Sequence, residues 1–524
     1  MKKLFLLLIG IGIFIGSFIT IRNYFFNLEA VDSLPEIIEN EVYIDELNLP
    51  LIEVDTLNPL LTQNKQVSDV LKLIYEPLFD FDEKNRLVPT LVTEWNEKDD
   101  NTWILKLNNL ATWHSGKKLS AEDVVFTFNS IRNFENCIYK ENIKNISSVE
   151  IIDDNAIQIN LVSNDKYLPY KLNFPIIAKH FFQKEMLNES HNEYADGTGP
   201  YKVESVLNSE NKIILISNMN WWKQKDFKLN QINLIKYATY GEAIKAFKST
   251  EIDVISTTMS SWQKKFGAIG INSYMYESNE YETLIANTED IVLSEKSVRR
   301  MVLTGINAEN IIESVYGGNG AVSDCPIPSN SYLSVSSNSK NYDIEKAKQL
   351  LINAGWDNSS GNWKKVINNK TYTLEFDLLV CNDNEEKIKI ADLIVENLKE
   401  IGVKVKIVKL NFAEFNKRIQ NGKFELALAT INLDSDLDIV ELIESTSEKN
   451  FANYKKIEVD NIISQMTNTN LDTKINELQN LYRNEAPYIG MYYKCNNLLT
   501  NKSVKGNINP TSWNVYHDIT GWCK

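Results

Sequence analysis

The sequence predicts an α/β protein with two lobes, and residues 371–431 carry the first observation that favours this class. Strand and helix patterns alternate through this stretch. The predicted elements are a strand at Thr371–Val380, a helix at Glu385–Glu400, a strand at Val403–Ile407, a helix at Phe412–Gln420 and a strand at Phe424–Ile431. Strand, helix and strand with short links imply a right-handed parallel unit, so this stretch is expected to form an α/β lobe of its own.

Length and composition supply the second observation. The chain has 524 residues, of which 43% are hydrophobic, so it can bury a sizeable core and form roughly two to four domains. Its charged fraction of 24% is typical of a soluble globular protein. The net charge of −15 argues against a nucleic-acid-binding protein, because phosphate binding requires a basic surface.

The other elements are predicted from the same periodicities. Further strands are expected at Glu41–Leu47, Leu51–Val54, Leu91–Trp95, Thr102–Leu107, Ile252–Ile255 and Ile489–Tyr493. Further helices are expected at Val67–Tyr75, from Ser120, and at Gly241–Lys248, Val298–Tyr316, Asp343–Ala354, Val459–Met466 and Leu471–Asn484. Ser120–Asp123 has the form of a capped helix start. Asn307 is expected to cap a second helix within the fourth of these, Asp343 is expected to cap the fifth, and Gly355 supplies a left-handed stop after it.

A backbone corner is predicted at Gly197–Pro200, where two glycines bracket Thr198. Tyr201 and Val203 then begin a strand, which a loop at Asn208–Asn211 joins to a second strand at Ile213–Ile216. The aromatic pair Trp221 and Trp222 follows, and it is expected to pack between subdomains rather than touch a ligand.

Met1–Arg22 is the one membrane signal in the sequence. Two lysines precede an apolar run of about eighteen residues, which fits either a signal peptide or a transmembrane anchor. No small-x-small cleavage site follows, which favours an uncleaved anchor, and the leading lysines place the bulk of the protein outside the cell. Residues 23–41 carry five acids and are expected to form a tether.

Neither a metal site nor an enzyme is indicated, and no cofactor is expected. The five cysteines have no CxxC or other metal-ligand spacing, although some could pair as disulfides. The four histidines are scattered, and His114 reads as a structural histidine in a turn. No nucleophile elbow, HExxH motif or phosphate-binding loop occurs.

Several segments together resemble one protein family. They are DTLNPLL and LIYEPLFDFD near the start, LVTEWNEKDDNTWILKLNNLATWHSGKKLSAEDVVFTF at 91–128, TGPY with NMNWW at 198–222, AFKSTEIDVIS at 246–256, and YDIEKAKQLLINAGW at 342–356. They resemble the family 5 extracellular solute-binding proteins, the oligopeptide and dipeptide receptors of ABC importers. The likeness extends from Glu41 to Tyr493.

The resemblance implies a periplasmic-binding-protein-like fold of type II, in which crossing strands join two discontinuous lobes. It implies the following division: 1–22 anchor or signal segment; 23–41 tether; 42–80, 195–255 and 485–524 core of the first lobe; 81–194 extra subdomain on that lobe; 256–484 second lobe. The implied protein is a monomer that binds an oligopeptide outside the cell and delivers it to ABC permease subunits.

The resemblance also implies ligand-binding residues. In peptide-binding members the peptide lies extended in the cleft and uses main-chain hydrogen bonds from strands of both lobes. The corresponding positions here are Gln66, Val67 and Ser68 on the first lobe, and Thr430, Ile431 and Asn432 on the second. Asp434 stands where the family places the aspartate that pairs with the peptide amine; Asp436 or Asp438 is the next candidate. Phe412 and Phe415 are suited either to line a pocket or to join the core.

The sequence departs from the family pattern at this site. The family usually has a tryptophan where Ile431 stands, and its DYPDP continuation is DSDLD at 434–438. Other functions therefore stay open: the same fold with a nickel chelate, haem or sugar as ligand, an extracytoplasmic hydrolase, or a sensor of peptide pheromones that does not transport them.

Overall fold

The computed structural model describes residues 46–182, 195–223, 225–267, 269–335 and 342–524. The predicted anchor at 1–22 and the predicted tether at 23–41 lie outside these residues. Among the helices of the described ranges, none has the length and apolar character needed to cross a membrane.

The strands of the described residues, in chain order, are β1 Glu46–Ile52, β2 Phe79–Phe81, β3 Leu87–Pro89, β4 Val92–Asp99, β5 Thr102–Leu107, β6 Ile146–Asp153, β7 Ala156–Leu161, β8 Tyr201–Leu207, β9 Lys212–Ser217, β10 Gln231–Tyr237, β11 Val254–Thr257, β12 Ile271–Ala286, β13 Gly320–Val322, β14 Lys364–Ile367, β15 Lys370–Thr373, β16 Glu375–Cys381, β17 Lys404–Leu410, β18 Leu426–Asn432 and β19 Tyr488–Asn501.

The α-helices of the described residues are α1 Lys65–Leu71, α2 Ala121–Asn133, α3 Leu168–Lys171, α4 Lys179–Phe182, α5 Tyr240–Lys248, α6 Trp262–Phe266, α7 Lys296–Gly305, α8 Ala308–Tyr316, α9 Ile344–Asn353, α10 Glu385–Ile401, α11 Phe412–Gln420, α12 Asp438–Ile443, α13 Ile457–Ser464 and α14 Leu471–Glu485. Three short 3-10 helices lie at Glu141–Ile143, Asn208–Glu210 and Ile519–Gly521.

The first lobe is built on two four-stranded sheets, β1-β10-β9-β8 and β4-β5-β7-β6. One hydrophobic cluster contains residues of both sheets, among them Leu47, Leu215, Leu105 and Ile157. The predicted hairpin is confirmed, because β8 pairs antiparallel with β9 across the turn at Asn208–Glu210. The two strands predicted around Pro50 are instead the single strand β1, which can accommodate a proline because it is the edge of its sheet.

The second lobe is an α/β unit around β18-β16-β17. Strand β16 pairs in parallel with both β17 and β18, which confirms the parallel unit predicted from the sequence. Alternate residues of these strands enter different clusters: Leu378 and Leu428 pack on one face, whereas Leu379 and Ala427 pack on the other. The unit therefore has a core on each side of its sheet. The single strand predicted at Thr371–Val380 is two strands, β15 and β16.

The long antiparallel strands β12 and β19 connect the lobes. Near the carboxyl end of β19, Leu498 belongs to the core of the first lobe, whereas Ile489 near its start belongs to the core of the second. Strand β12 pairs with β19 along most of its length and with β18 over Glu280–Ala286. The sequence predicted only the beginning of β19, so the crossing is a feature that the tertiary structure reveals.

Helix capping follows the sequence closely. The carboxylate of Asp123 accepts from the N–H of Ser120 at 3.0 Å, completing a capping box at the start of α2. Asn307 caps α8, and Asp343 caps α9. Gly355 follows α9 with φ +82°, which is the left-handed conformation predicted for it.

The Gly197–Pro200 corner packs directly against the backbone of Ile74. The N–H of Gly199 donates to the carbonyl of Ile74 at 2.8 Å, and the N–H of Tyr201 donates to that of Leu73 at 3.0 Å. A Cβ atom on Gly197 would lie 1.9 Å from the carbonyl oxygen of Ile74. The corner therefore needs glycine for close approach of two backbones.

Gly197→Ala is expected to destabilise the first lobe by about 1–3 kcal/mol, because the added methyl group forces two backbone segments apart. Urea unfolding of the purified protein measures this change. Gly241→Ala is the matched control: a Cβ there meets nothing closer than 3.9 Å and the position is helical, so stability should be unchanged or slightly higher. Equal stability of the two variants would contradict the close-approach argument.

Candidate functional site

A cavity of about 570 Å³ in the second lobe brings most of the predicted ligand residues together. Strand β18, helix α11 and the start of α12 form its walls. The predicted residues that line it are Thr430, Ile431, Asn432, Asp434, Phe412 and Phe415. Residues far apart in sequence thus share one concave site, which is the usual geometry of a small-ligand site.

Strand β18 offers backbone groups to this cavity. On one side it pairs with β12 as far as Asn432. On the other side its register with β16 ends at Leu428, so among the described residues the segment Ala429–Asn432 has no neighbouring strand there. An extended ligand can add to such an open edge through main-chain hydrogen bonds.

Two carboxylates follow β18 at the cavity wall. The backbone N–H of Asp434 donates to Oδ2 of Asp438 at 2.6 Å, which holds the Asp438 carboxylate beside the backbone of Asp434. Limited hydration in the cavity wall raises the pKa of Asp434, and the positive charge of Lys449 opposes that shift. Burial raises the pKa of Asp438 to about 7, again opposed by Lys449. A ligand cation beside this pair would favour the ionised forms of both.

Lys449 lies in the same cavity and is held by a third acid. Its Nζ forms an ion pair with Glu441 at 2.6 Å. Hydrogen bonding to Glu441 and the charges of Asp438 and Asp434 raise the pKa of Lys449 in spite of the desolvation that opposes them. Lys449 therefore lies among three carboxylates, those of Glu441, Asp434 and Asp438, before any ligand arrives.

A buried ion pair lies behind Thr430. Lys387 Nζ contacts the carboxylate of Glu282 and donates to the hydroxyl of Thr430 at 2.6 Å. The Thr430 hydroxyl in turn donates to Glu282 Oε2 at 3.0 Å. Glu282 has no solvent exposure, so the pair fixes the side chain of Thr430 and leaves the backbone of β18 as the ligand-facing group.

The two phenylalanines of α11 differ in role. The side chain of Phe412 is 62% exposed at the cavity mouth, whereas Phe415 is 6% exposed and belongs to the core of the second lobe. Phe415 both packs in the core and contributes to the cavity wall.

The prediction of a strand at Gln66–Ser68 is wrong. These residues belong to helix α1, whose first turn is capped by the side chain of Asn64. Val67 points into the core with no exposure, and Gln66 is absent from the lining of both cavities described here. Ser68 lines a different cavity, of about 350 Å³, in the first lobe. The helical spacing of Val67, Val70 and Leu71 in the sequence indicates this helix.

One member of the tryptophan pair, Trp221, lines the first-lobe cavity. Trp221 and Trp222 donate from their indole nitrogens to the carboxylate of buried Glu76, at 3.3 and 2.9 Å. The Nζ of Lys223 forms an ion pair with the same carboxylate at 3.2 Å. The pair therefore fixes a buried carboxylate inside the first lobe, and Trp221 also lines the cavity.

Asp436 does not line the ligand cavity. It is 6% exposed, and its Oδ1 accepts from Nδ2 of Asn85 at 3.1 Å. Asn85 belongs to the turn between β2 and β3 of the first lobe, so this contact joins the lobes. Asp436 is consequently a structural contact between lobes rather than a cavity group.

The sequence did not identify Lys449 or Lys387 as cavity residues. Lys449 lies 15 positions after Asp434 in an irregular segment, and no spacing connects the two. Lys387 looks like an ordinary surface lysine in the first turn of α10. Only the apolar positions around it, which place it on the inner face of the helix, hint at its burial.

The remaining candidates are structural. His114 Nε2 lies 3.0 Å from the carbonyl of Gly199, and Nδ1 accepts from Gly197 at 3.3 Å, as expected for a histidine in a turn. All five cysteines lie within the described residues and none forms a disulfide. In the ranges that the structure describes, no group of three or more metal-ligating side chains occurs.

Two lobes joined by crossing strands, with a cavity that combines an open strand edge and charged side chains, define the class of bilobal solute-binding proteins. The profile of bacterial extracellular solute-binding proteins, family 5 Middle, matches residues 86–453. The chain belongs to this family, whose members serve ABC importers.

Several known proteins are similar to this chain in sequence or in fold. The oligopeptide-binding protein AppA of Bacillus subtilis is 23% identical over 481 residues, covering 87% of each chain. Heme-binding protein A of Haemophilus influenzae is 23% identical over 491 residues, covering 85% of this chain and 86% of its own. The crystal structure of NikZ from Campylobacter jejuni with Ni(L-His) superposes with a TM-score of 0.61 at 23% identity, covering 92% of this chain and 99% of that one.

Proposed function

We propose that this protein captures oligopeptides outside the cell, in the second-lobe cavity, and delivers them to an ABC permease. The proposal depends on one observation: the open edge of β18 at Ala429–Asn432 lies next to the carboxylates of Asp434 and Asp438. The edge suits the backbone of an extended peptide, and the carboxylates suit its ammonium terminus. The similarity to oligopeptide-binding AppA supports the same ligand class.

The predicted organisation completes the proposal. Closure of the two lobes brings the first lobe over a peptide that is bound to the second. The segment 1–22 anchors a monomeric receptor to the membrane, and the protein binds its ligand without chemical turnover. The separate hydrophobic clusters of the two lobes support this division.

Haem and nickel chelates form the alternative, favoured by Heme-binding protein A and the Ni(L-His) complex of NikZ among the relatives. Isothermal titration separates the classes with four probes: a free-amine peptide, its N-acetylated form, nickel–histidine and haem. We expect heat from the free-amine peptide and much weaker binding of the acetylated one. Binding of nickel–histidine or haem with no peptide binding would overturn the proposal.

Lys449→Met provides a further prediction at pH 8. Removing this cation should strengthen binding of a free-amine peptide about two- to fivefold, because Lys449 competes with the ligand ammonium for Asp434 and Asp438. Titration calorimetry of variant and wild type measures the ratio. Lys455→Met, which removes a lysine paired at the surface with Glu289, is the control and should change nothing. Weaker peptide binding by the Lys449 variant would show that the site recognises a negative group.

A further inference from the structure

The contact between Asn85 and Asp436 is buried and chemically incomplete. Asn85 is 3% exposed and Asp436 is 6% exposed. One hydrogen bond joins them, from Asn85 Nδ2 to Asp436 Oδ1 at 3.1 Å. The other oxygen of each group, Oδ1 of Asn85 and Oδ2 of Asp436, is shielded from solvent and has no hydrogen-bond partner among the described residues. Both are acceptors, so neither can donate a hydrogen bond to the other.

The surrounding structure holds these two side chains next to each other. The tight turn at Asp82–Arg86 presents Asn85, which has φ +59°, a conformation that asparagine adopts readily. The Asp82 carboxylate accepts from the N–H groups of Lys84 and Arg86, both at 2.8 Å. Beside this contact, the N–H of Tyr332 in the second lobe donates to the carbonyl of Lys84 at 2.9 Å. The amide Nδ2 of Asn330 also donates to the carbonyl of Glu83 at 3.4 Å, so three hydrogen bonds dock the turn on the second lobe.

A proton on Asp436 would supply the missing donor. A carboxylic acid and a primary amide that share an N–H···O bond can also share an O–H···O bond, which satisfies both buried oxygens at once. An ionised Asp436 would instead leave a buried charge beside the Asn85 carbonyl oxygen.

We propose that Asp436 joins the two lobes as a neutral carboxylic acid that donates its proton to the amide oxygen of Asn85, so that the contact is strong in mildly acidic solution and weak in alkaline solution. This inference does not depend on which ligand the cavity binds.

The charges around Asp436 agree with this assignment. Burial raises the pKa of Asp436 to about 7, the hydrogen bonds from Ser331 and Asn85 oppose the shift, and the like charge of Glu277 on β12 adds to it. The other titratable or charged groups that face the contact are Tyr170 on α3, Tyr493 on β19, Tyr332, and Arg86, whose guanidinium lies 5.6 Å from the Tyr332 ring centroid. None of these groups forms an ion pair with Asp436.

The direction of the pH dependence follows from the sign of the shift. A carboxyl whose pKa is raised in the docked state stabilises that state below its ordinary pKa near 4, and the benefit disappears as pH rises through about 7. Between pH 6 and pH 8 the docked state should lose about tenfold in its equilibrium against the undocked state.

Hydrogen exchange of the Tyr332 amide in the full chain, without peptide, tests the proposal. After correction for the intrinsic exchange rate, its protection should fall about tenfold between pH 6 and pH 8. Asp436→Asn supplies an amide donor at every pH, so protection in this variant should not change with pH. A fall that persists in the Asp436→Asn variant, or no fall in the wild type, would overturn the proposal.

Two further variants keep the test decisive. Asp438→Asn removes a second carboxyl with a pKa of about 7, but one in the ligand cavity, so the pH dependence at Tyr332 should remain. Asn85→Gly keeps the backbone conformation of the turn and removes the amide, so protection of Tyr332 should be low at both pH values. Loss of the pH dependence in Asp438→Asn, or full protection in Asn85→Gly, would assign the titrating group elsewhere.

Discussion

Replacing Asp434 by alanine should weaken the binding of a free-amine peptide at least about thirtyfold, which corresponds to about 2 kcal/mol. The variant removes one of the two carboxylates that follow the open edge of β18 and leaves the ligand ammonium with less compensation in a partly desolvated site. Isothermal titration at pH 8, where Asp438 is largely ionised, gives the cleanest measurement.

An N-acetylated peptide makes this test specific. It lacks the terminal charge, so it should bind wild type and the Asp434→Ala variant with nearly equal affinity. Asp392→Ala is the matched control, since Asp392 is exposed on α10 of the same lobe and does not line the cavity. If Asp434→Ala reduced the affinity for both peptides equally, Asp434 would support the cavity without contacting the amine.

Replacing Lys387 by methionine should destabilise the second lobe by about 3–5 kcal/mol, because the Glu282 carboxylate would lose its cationic partner in a site without solvent access. The loss should appear as a lower midpoint in urea unfolding. Adding Glu282→Gln to the same chain removes the stranded charge and should restore most of the stability.

A lysine two positions along α10 is the control for this pair. Lys389 is exposed, so Lys389→Met should change the free energy of unfolding by less than about 0.5 kcal/mol. A double variant as unstable as Lys387→Met alone would show that the loss comes from packing of the lysine stem rather than from the unpaired charge.

Local structure was the part of this protein that could be predicted well. The capped starts of α2, α8 and α9 depend on residues within four positions of each other, and all three are present as predicted. The same holds for helix α11, which begins and ends at the predicted residues Phe412 and Gln420. The error at Gln66–Ser68 arose because the family resemblance implied a strand there. These residues form a helix instead, in agreement with the helical spacing of their apolar side chains.

The second-lobe half of the site was predicted because its residues follow one another along β18 and α11. The roles of these residues were not predictable. Phe412 is exposed whereas Phe415 is buried, and Asp434 lines the cavity whereas Asp436 does not. Both aspartates lie in a short acidic run, where a shift of two positions decides whether a carboxyl faces the cavity or the first lobe. Lys449 and Lys387 join the site from segments whose neighbourhood depends on the packing of the whole lobe.

By itself, the sequence determined the α/β class, the family, the positions of the longer helices and the strand that lines the cavity, because periodicity, capping and motif order act over short distances. Only the tertiary structure decided that β12 and β19 cross between the lobes, that β18 keeps an open edge, and that Asn85 meets Asp436. These features depend on contacts between residues far apart in the sequence, and their energies come from burial and charge pairing that exist only once the lobes have packed.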